Sequence, residues 1–376
     1  MKKFSIFLGA LLLACGAPCF ASAAEPIRIG VQGAFSGDLA SYGVPSLNAA
    51  KIVAEEANAR GGVLGRMVEI VPQDDQCKPE MATSAATKLI SDKVDAIVGP
   101  ICTGPTVASL PLFQAAEIVA VSPTATAPSL TEGGKHPLFF RTVAHDNAQA
   151  GLTSDFMLNK LNAKRIAYLH DNGDYGKGFV DHNRAIMEKG GAETVLFEAV
   201  TPDAVDFSAV VRKIRRQKPD IVVFGGYQPV ASKLVQQMRR DRLTTPFIGP
   251  DGVKDETFLK MTGKDAEGVY ASYPKDTSTL EQYRHAREAH IAKFGSEPGF
   301  GYYNAYAATQ ALLSALAKTD GATGGRLKEE LRGSSVETPL GTITFNDQGE
   351  PAGVALSIYQ VKDGKFEELD HSIILK

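Results

Sequence analysis

The chain has 376 residues, with 40 lysines and arginines against 43 aspartates and glutamates and a formal net charge of −3. Its basic residues are scattered, which leaves no electrostatic footprint for nucleic acid. The one dense run, Arg212-Lys213-Ile214-Arg215-Arg216, reads as the solvated face of a helix whose Val210, Val211 and Ile214 turn inward. Beyond the first two dozen residues no apolar run reaches the roughly 20 that a membrane span needs. The remaining length, about 350 residues, is too great for one ordinary core and points to two lobes.

In chain order, the first segment reads as a secretion signal. Lys2 and Lys3 open it, Phe4 to Leu13 form its apolar centre, and Ala21-Ser22-Ala23-Ala24 supply the small-residue cleavage site. Its removal takes the net charge from −3 to −5. Leu12-Leu13-Ala14-Cys15 is a competing lipoprotein site that would leave Cys15 as a lipidated anchor, although Leu13 fits that pattern poorly. Of the four cysteines, Cys15 and Cys19 fall in the signal. Cys77 and Cys102 then form the remaining pair, which in an exported chain reads as a disulfide. Two thiolates alone make a poor zinc site.

From Ile27 onward, apolar runs alternate with helical patterns. The strands expected are Ile27–Ala34, Val68–Pro72, Val94–Gly99, Ile118–Ser122, Arg165–His170, Glu193–Phe197, Asp220–Gly225 and Phe247–Gly249. Helices are expected near residues 45–60, 80–92, 105–116, 147–162, 176–190, 206–217 and 229–241, each with one apolar stripe. This alternation predicts an α/β fold with mostly parallel sheets covered on both faces. Two units look tandem, one starting at Ile27 and one at Arg165, each with a Gly- and Tyr-containing polar turn before its first helix. Extended connections near Phe140–Asp146 and Tyr270–Lys275 would carry the chain between hinged lobes.

Two strand ends point to a ligand. After Val94–Gly99, Thr103 is expected to cap a helix opened by Gly104 and Pro105. Ser122-Pro123-Thr124-Ala125-Thr126-Ala127-Pro128 repeats the device after the next strand. Two such helix starts at the carboxyl edge of one sheet would hold a small anion.

No catalytic constellation accompanies them. There is no nucleophile elbow and no phosphate loop. His145-Asp146 and His170-Asp171 read as satisfied turns, and His285 and His290 are spaced off the helix face that paired metal ligands use. No cofactor or metal is expected. The polar and aromatic residues at strand ends are Tyr42, Thr103, Thr124 and Thr126 in the first lobe and Tyr175, Tyr227 and Asp251 in the second. Hydroxyls and helix-start N–H groups suit a carboxylate, and Asp251 suits an ammonium. Together they describe a site for a zwitterion, a free amino acid.

With these residues the chain resembles the periplasmic leucine/isoleucine/valine-binding proteins, the amino-acid-binding subunits of ABC importers. The likeness runs through Gly33-Ala34-Phe35-Ser36-Gly37, Asn58-Ala59-Arg60-Gly61-Gly62, Asp74-Asp75-Gln76-Cys77, Val98-Gly99-Pro100-Ile101-Cys102, Ser122 to Thr126, His170 to Gly176, Gly225-Gly226-Tyr227, Gly249-Pro250-Asp251-Gly252 and Tyr306-Ala307-Ala308. The resemblance implies a two-lobed type I periplasmic-binding-protein fold, each lobe a doubly wound sheet, with three crossovers. Its lobes would be residues 25–143 plus 274–351 and residues 144–273 plus 352–376, following a signal peptide of residues 1–24.

By the same resemblance Thr103 replaces a Ser that binds the ligand α-carboxylate, and Thr126 matches a Thr at the ligand's polar end. Thr124 offers a carbonyl to the ammonium, and Tyr175 and Tyr227 cover the ligand. Tyr42, Ile101, Cys102 and Tyr303 line its side-chain pocket. Asp251 stands where branched-chain binders typically carry Glu, and Tyr42 where some carry Trp. The function implied is not enzymatic: a periplasmic, monomeric protein that binds a free amino acid, branched-chain type first, and delivers it to a membrane permease. Another amino acid, γ-aminobutyrate or a short amide remains open as ligand, as does a sensory receptor role for the same fold.

Overall fold

Short, wholly buried strands such as Ile221–Gly225 need cover on both faces, and the helices between them supply it. The computed structural model describes residues 25–375, so the segment read as a secretion signal, with Cys15 and Cys19, lies outside the described residues. The first sheet is built from β1 (Ile27–Gly33), β2 (Val68–Asp74), β3 (Ala96–Val98), β4 (Val119–Ser122) and β5 (Phe139–Arg141), all parallel, in the order β2-β1-β3-β4-β5. Between them run α1 (Ala40–Ala59), α2 (Pro79–Ser91) and α3 (Thr103–Ala115).

The chain then enters the second lobe through α4 (Asp146–Asn159), β6 (Arg165–His170), α5 (Asp174–Lys189), β7 (Glu193–Ala199), α6 (Ser208–Gln217), β8 (Ile221–Gly225), α7 (Gln228–Arg240), β9 (Phe247–Gly249), α8 (Glu256–Thr262) and β10 (Tyr270–Pro274). It returns to the first lobe for α9 (Glu281–Phe294), α10 (Tyr302–Lys318), α11 (Gly324–Gly333) and a small antiparallel sheet of β11 (Ser335–Thr338), β12 (Gly341–Phe345) and β13 (Pro351–Ala352). Finally β14 (Ala355–Lys362) and β15 (Lys365–Ile374) complete the second sheet, ordered β15-β14-β10-β9-β8-β6-β7. β6 to β10 are parallel there, and β14 and β15 are antiparallel additions at one side.

The chain therefore passes between the sheets three times: after β5, after β10 and after β13. This is the doubly wound, two-lobed α/β architecture expected from the alternation. Separate apolar cores form around the two sheets. Ile29, Val98 and Tyr306 belong to one; the second sheet has cores on its two faces, marked by Phe224 and Phe247 and by Tyr168 and Phe179.

Three local expectations are corrected. Thr103 is not the N-cap of α3: Cys102 is, with extended backbone, and Thr103 is the first helical residue. No α-helix follows β4. Pro123 and Pro128 lack the N–H a helix would use, and Ser122 Oγ accepts instead from the N–H groups of Thr124 (3.4 Å) and Ala125 (3.0 Å), a turn that ends in one 3₁₀ turn at Pro128–Leu130. Tyr270–Lys275 is no bare connection, because Tyr270–Pro274 is a strand hydrogen-bonded to β9 and β14.

Two covalent or ionic ties hold the cleft side of the first lobe. Cys77 and Cys102 form a disulfide with Cα atoms 5.5 Å apart, joining the turn after β2 to the cap of α3. Asp74 and Asp75 shape that turn. Asp74 accepts from Phe35 N and Gln76 N, and Asp75 from Cys77 N and Gln32 Nε2.

The second tie is Arg141, fully buried at the start of the first crossover. Its five guanidinium N–H groups are all used: on both oxygens of Glu350, just before β13 and the third crossover, on Ala125 O (3.1 Å), on Ala127 O (3.0 Å) and on Thr131 Oγ1 (2.7 Å). Burial pushes the Glu350 carboxyl up, but the Arg141 hydrogen bonds and charge outweigh it and hold it below the usual range.

Reducing the Cys77–Cys102 disulfide is expected to cost about 3 kcal/mol by the chain-entropy argument for its loop. Guanidinium unfolding of oxidised and reduced protein would measure the difference. Thiol titration of denatured, unreduced protein should find neither Cys77 nor Cys102 free. Arg141→Met leaves the largely buried Glu350 carboxylate without its counter-charge and with only the Thr131 hydroxyl as side-chain donor, and should destabilise by about 3 kcal/mol in urea unfolding. The depressed Glu350 pKa makes this contribution present at neutral pH and lost as the pH falls through it, so the wild-type advantage shrinks on acidification.

Candidate functional site

The carboxyl ends of both parallel sheets face each other across the cleft, where chain topology leaves room between diverging helices. Glycine makes the approach of elements possible. A Cβ on Gly225, at the end of β8, would lie 1.9 Å from Gly176 O, so strand end and the start of α5 touch backbone to backbone. The first lobe contributes the starts of α1 and α3 and the turn after β4. The second contributes the starts of α5 and α7 and the 3₁₀ turn at Asp251–Val253.

Of the residues expected from sequence, Tyr42, Ile101, Cys102, Thr124, Tyr175, Tyr227 and Asp251 line one cavity together with Gly252 and Phe300. Thr103 and Thr126 do not line this cavity: both are buried, the Thr103 hydroxyl has no hydrogen-bond partner, and the Thr126 hydroxyl is turned to the Asp146 carboxylate. The hydroxyl of Thr124 donates to Ile101 O at 2.6 Å. Tyr303 is not brought to this cavity. It stacks on Tyr283, with ring centroids 3.9 Å apart, and lines a neighbouring cleft cavity of about 380 Å³. Phe300 takes the place expected of it, packed edge-on against Tyr42 at 4.7 Å.

The lobes are closed on each other. Tyr42 Oη donates to Gly252 O at 2.5 Å and accepts from Gln228 N at 3.0 Å, so one first-lobe side chain ties two second-lobe elements. Tyr227 packs against both Tyr42 and Tyr175, at 5.3 and 5.0 Å between centroids. The remaining cavity is about 10 Å³, room for about one water. Any larger ligand requires the lobes to part.

Asp251 is 3 % exposed. Its Oδ1 accepts from Tyr175 Oη and from Gly252 N (3.0 Å), and its own N–H donates to Gln149 Oε1 at 3.0 Å. Burial pushes its carboxyl up to about 6, against the pull of those hydrogen bonds. Burial likewise raises the phenols of Tyr42, Tyr175 and Tyr227 well above their ordinary value, so all three stay neutral. The chemistry is thus hydroxyl-bearing residues at a helix start and in a polar turn on one side, a buried acid on the other and aromatic rings around them.

Sequence reasoning missed four residues here. Phe300 carried no signal beyond its aromaticity. Gln149 sits in a helical pattern that looked purely structural, and Asp146 was read with His145 as a satisfied turn rather than as the first residue of α4. Lys254 lines the larger cavity, its Nζ 4.1 Å from the centroid of Tyr273 and 4.5 Å from that of Tyr359, and burial lowers it to about 8. The turn readings of the histidines agree with the structure: His145 Nδ1 accepts from Ala148 N and His170 Nδ1 from Asn172 N. No group of three metal-ligating side chains occurs among the described residues.

Fold and cleft define a two-lobed solute-binding protein. The family model for periplasmic binding proteins matches residues 26–365, and the chain belongs to that family, whose members bind solutes for transport and are not enzymes. Among its relatives are the Leu/Ile/Val-binding protein of Escherichia coli, 31% identical over 352 residues (93% of this chain, 95% of that protein). The leucine-, isoleucine-, valine-, threonine-, and alanine-binding protein of Pseudomonas aeruginosa is 30% identical over 363 residues, covering 96% of this chain and 97% of the other. The isoleucine complex of the branched-chain amino acid transporter substrate binding protein LivJ from Streptococcus pneumoniae superposes with a TM-score of 0.84 at 27% identity, over 94% of this chain and 100% of that one. A benzoate-bound solute binding protein from R. palustris shares the fold, with a TM-score of 0.83 at 22% identity over 92% of this chain and 96% of that one.

Tyr42→Phe removes both inter-lobe hydrogen bonds and leaves Gly252 O and Gln228 N without that partner. Buried groups so deprived cost about 1–3 kcal/mol each, so the closed population should fall. Small-angle scattering of the unliganded variant is expected to give a larger radius of gyration than wild type; an unchanged radius would mean that the Tyr42 hydroxyl does not hold the lobes together.

Proposed function

We propose that this chain is the extracytoplasmic solute-binding subunit of an ABC importer, binding a free amino acid of the branched-chain type between its lobes and presenting the closed form to a membrane permease. The observation that supports the reading is the meeting of first-lobe Tyr42, Ile101, Cys102 and Thr124 with the buried second-lobe Asp251 in one aromatic-lined cavity, next to the unpartnered Thr103 hydroxyl in the first turn of α3. Hydroxyls and helix-start N–H groups answer an α-carboxylate, Asp251 answers an α-ammonium, and Tyr42, Ile101, Tyr227 and Phe300 surround an apolar side chain. The relatives named for leucine, isoleucine and valine support the ligand class. The secretion signal at residues 1–24 supports periplasmic delivery, and no helix among the described residues is long and apolar enough to cross a membrane. The protein would work as a monomer.

A thermal-shift screen against the free amino acids tests this directly, since a ligand at 100 times its dissociation constant stabilises by about 2.7 kcal/mol. Leucine, isoleucine or valine should give the largest shift. Asp251→Asn should then lower affinity for that amino acid by two decades or more, because a buried ammonium deprived of its acid typically costs about 3–5 kcal/mol. Calorimetry showing Asp251→Asn within threefold of wild type would reduce Asp251 to a turn residue.

A further inference from the structure

The turn that carries Asp251 and Gly252 is anchored by a residue the amino-acid reading does not use. Lys254 directly follows the 3₁₀ turn Asp251–Val253, and its N–H donates to Asp251 O at 3.0 Å. Its side chain lines the cavity of about 380 Å³ that neighbours the ligand cavity. There its Nζ lies 4.1 Å from the ring centroid of Tyr273 and 4.5 Å from that of Tyr359, with Phe366 at 5.8 Å. These rings come from β10, β14 and β15. Among the described residues the ammonium has no hydrogen-bond or ion-pair partner, so the ring faces are what hold it.

The side chain keeps its charge in this place. Burial lowers the amine to about 8 while Glu256, Asp276, Asp255 and Glu368 act to raise it, so at neutral pH Lys254 is a cation. Three of those acids accept from backbone N–H groups of their own: Asp255 from Thr257, Asp276 from Ser278 and Glu368 from Asp276. A cation shielded from water over a Tyr face is the stronger form of this contact. Tyr273 carries the constraint onward. Its hydroxyl accepts from Gly301 N at 3.4 Å, just before α10, and its ring packs on Phe300 at 5.7 Å. Phe300 in turn meets Tyr42 at 4.7 Å, so one ammonium connects the Asp251 turn with the rings that wall the ligand cavity.

We propose that Lys254 is a positioning residue of the ligand site, whose ammonium, seated on Tyr273 and Tyr359, holds the Asp251–Val253 turn in its binding geometry. This rests on the amino-acid reading and adds to it a residue that lies outside the ligand cavity and acts through the turn and Tyr273. Lys254 and its three rings all belong to the second lobe, so the contact does not depend on closure. A turn already fixed in the open protein spares the ligand the cost of ordering it.

Calorimetry with leucine and hydrogen exchange of the unliganded protein test this on two variants. Lys254→Met keeps an apolar stem and removes the charge, whereas Lys254→Arg keeps a cation that stacks on aromatic faces. The amides of Gly252 and Val253 report on the turn, because they donate to Tyr175 Oη (2.8 Å) and Pro250 O (3.0 Å). In Lys254→Met the affinity for leucine is expected to be about tenfold weaker and these amides to exchange faster, with the unliganded melting temperature as a control for folding. Lys254→Arg is expected to restore both. A Lys254→Met affinity within about twofold of wild type, or unchanged exchange at Gly252 and Val253, overturns the proposal. Lys254→Arg as weak as Lys254→Met overturns it too, since the charge would then not be what acts. Should Lys254→Met fail to fold, Tyr359→Leu, which removes one ring face and leaves Lys254 and Tyr273 in place, decides by the same two readouts. If wild type binds no amino acid at all, the reading of the site falls and this inference with it, whereas loss of the Lys254 effect alone leaves that reading standing.

Discussion

The buried pair of Arg141 and Glu350 is the constraint on which the cleft depends. Arg141 ends a strand of the first sheet and begins the first crossover, while Glu350 stands just before β13, which leads into the third, so their ion pair ties the approaches to two of the three passages between lobes. The remaining guanidinium N–H groups hold the carbonyls of Ala125 and Ala127 on either side of Thr126. A turn rich in proline cannot hydrogen-bond itself into a helix, and Arg141 supplies the donors that rigidify it instead. Hinge and ligand loop are thereby one piece.

The second lobe meets this rigid half with charge. In water Asp251 would stay ionised at neutral pH, but enclosed between lobes it is desolvated and pushed up to about 6. The aromatic walls that suit an apolar side chain also lower the local dielectric, which sharpens both the penalty for an empty closed site and the gain from an ammonium. The same burial keeps Tyr42 protonated, so it both donates and accepts across the cleft. Specificity and closure thus draw on the same buried groups.

Much of this was legible in the sequence. Strands β1 to β4 and β6 to β9 with their helices follow from apolar runs and stripes, because a parallel sheet buried on both faces writes continuous hydrophobic segments. Tyr42, Tyr175, Tyr227 and Asp251 were legible because residues after parallel strands converge at the carboxyl edge. What periodicity did not reveal was set by tertiary context. β10, β14 and the small sheet alternate too irregularly to stand out before their partners are known. Thr103 looked like a cap because a hydroxyl residue precedes Gly-Pro, yet the cap is Cys102, whose backbone the disulfide and α3 together hold extended. The apparent second helix failed at its prolines. Gln149 is an ordinary residue of a first helical turn, and only the arrival of Asp251 from 102 positions further on gives it a partner beside the cleft. Phe300 stands in for Tyr303 because α10 begins at Tyr302 and turns Tyr303 toward Tyr283.

These features set how strongly a ligand controls the shape of the protein. The Tyr42 contacts are two hydrogen bonds, each worth about 0.5–1.5 kcal/mol net, and the buried Asp251 carboxylate acts against them when no ammonium is present. The balance between open and closed unliganded forms is therefore shallow. Driving a two-state equilibrium from 1:99 to 99:1 takes about 5.5 kcal/mol of differential affinity. On the amino-acid reading proposed above, an ammonium paired with the buried second-lobe Asp251 and a carboxylate met by hydroxyls and helix-start N–H groups of the first lobe would give that differential. A transporter that must distinguish loaded from empty carriers needs this asymmetry. On the same reading, burial of Asp251 makes an empty closed site costly and a liganded one favourable, so the closed surface would report the presence of cargo rather than the mere tendency of two lobes to touch.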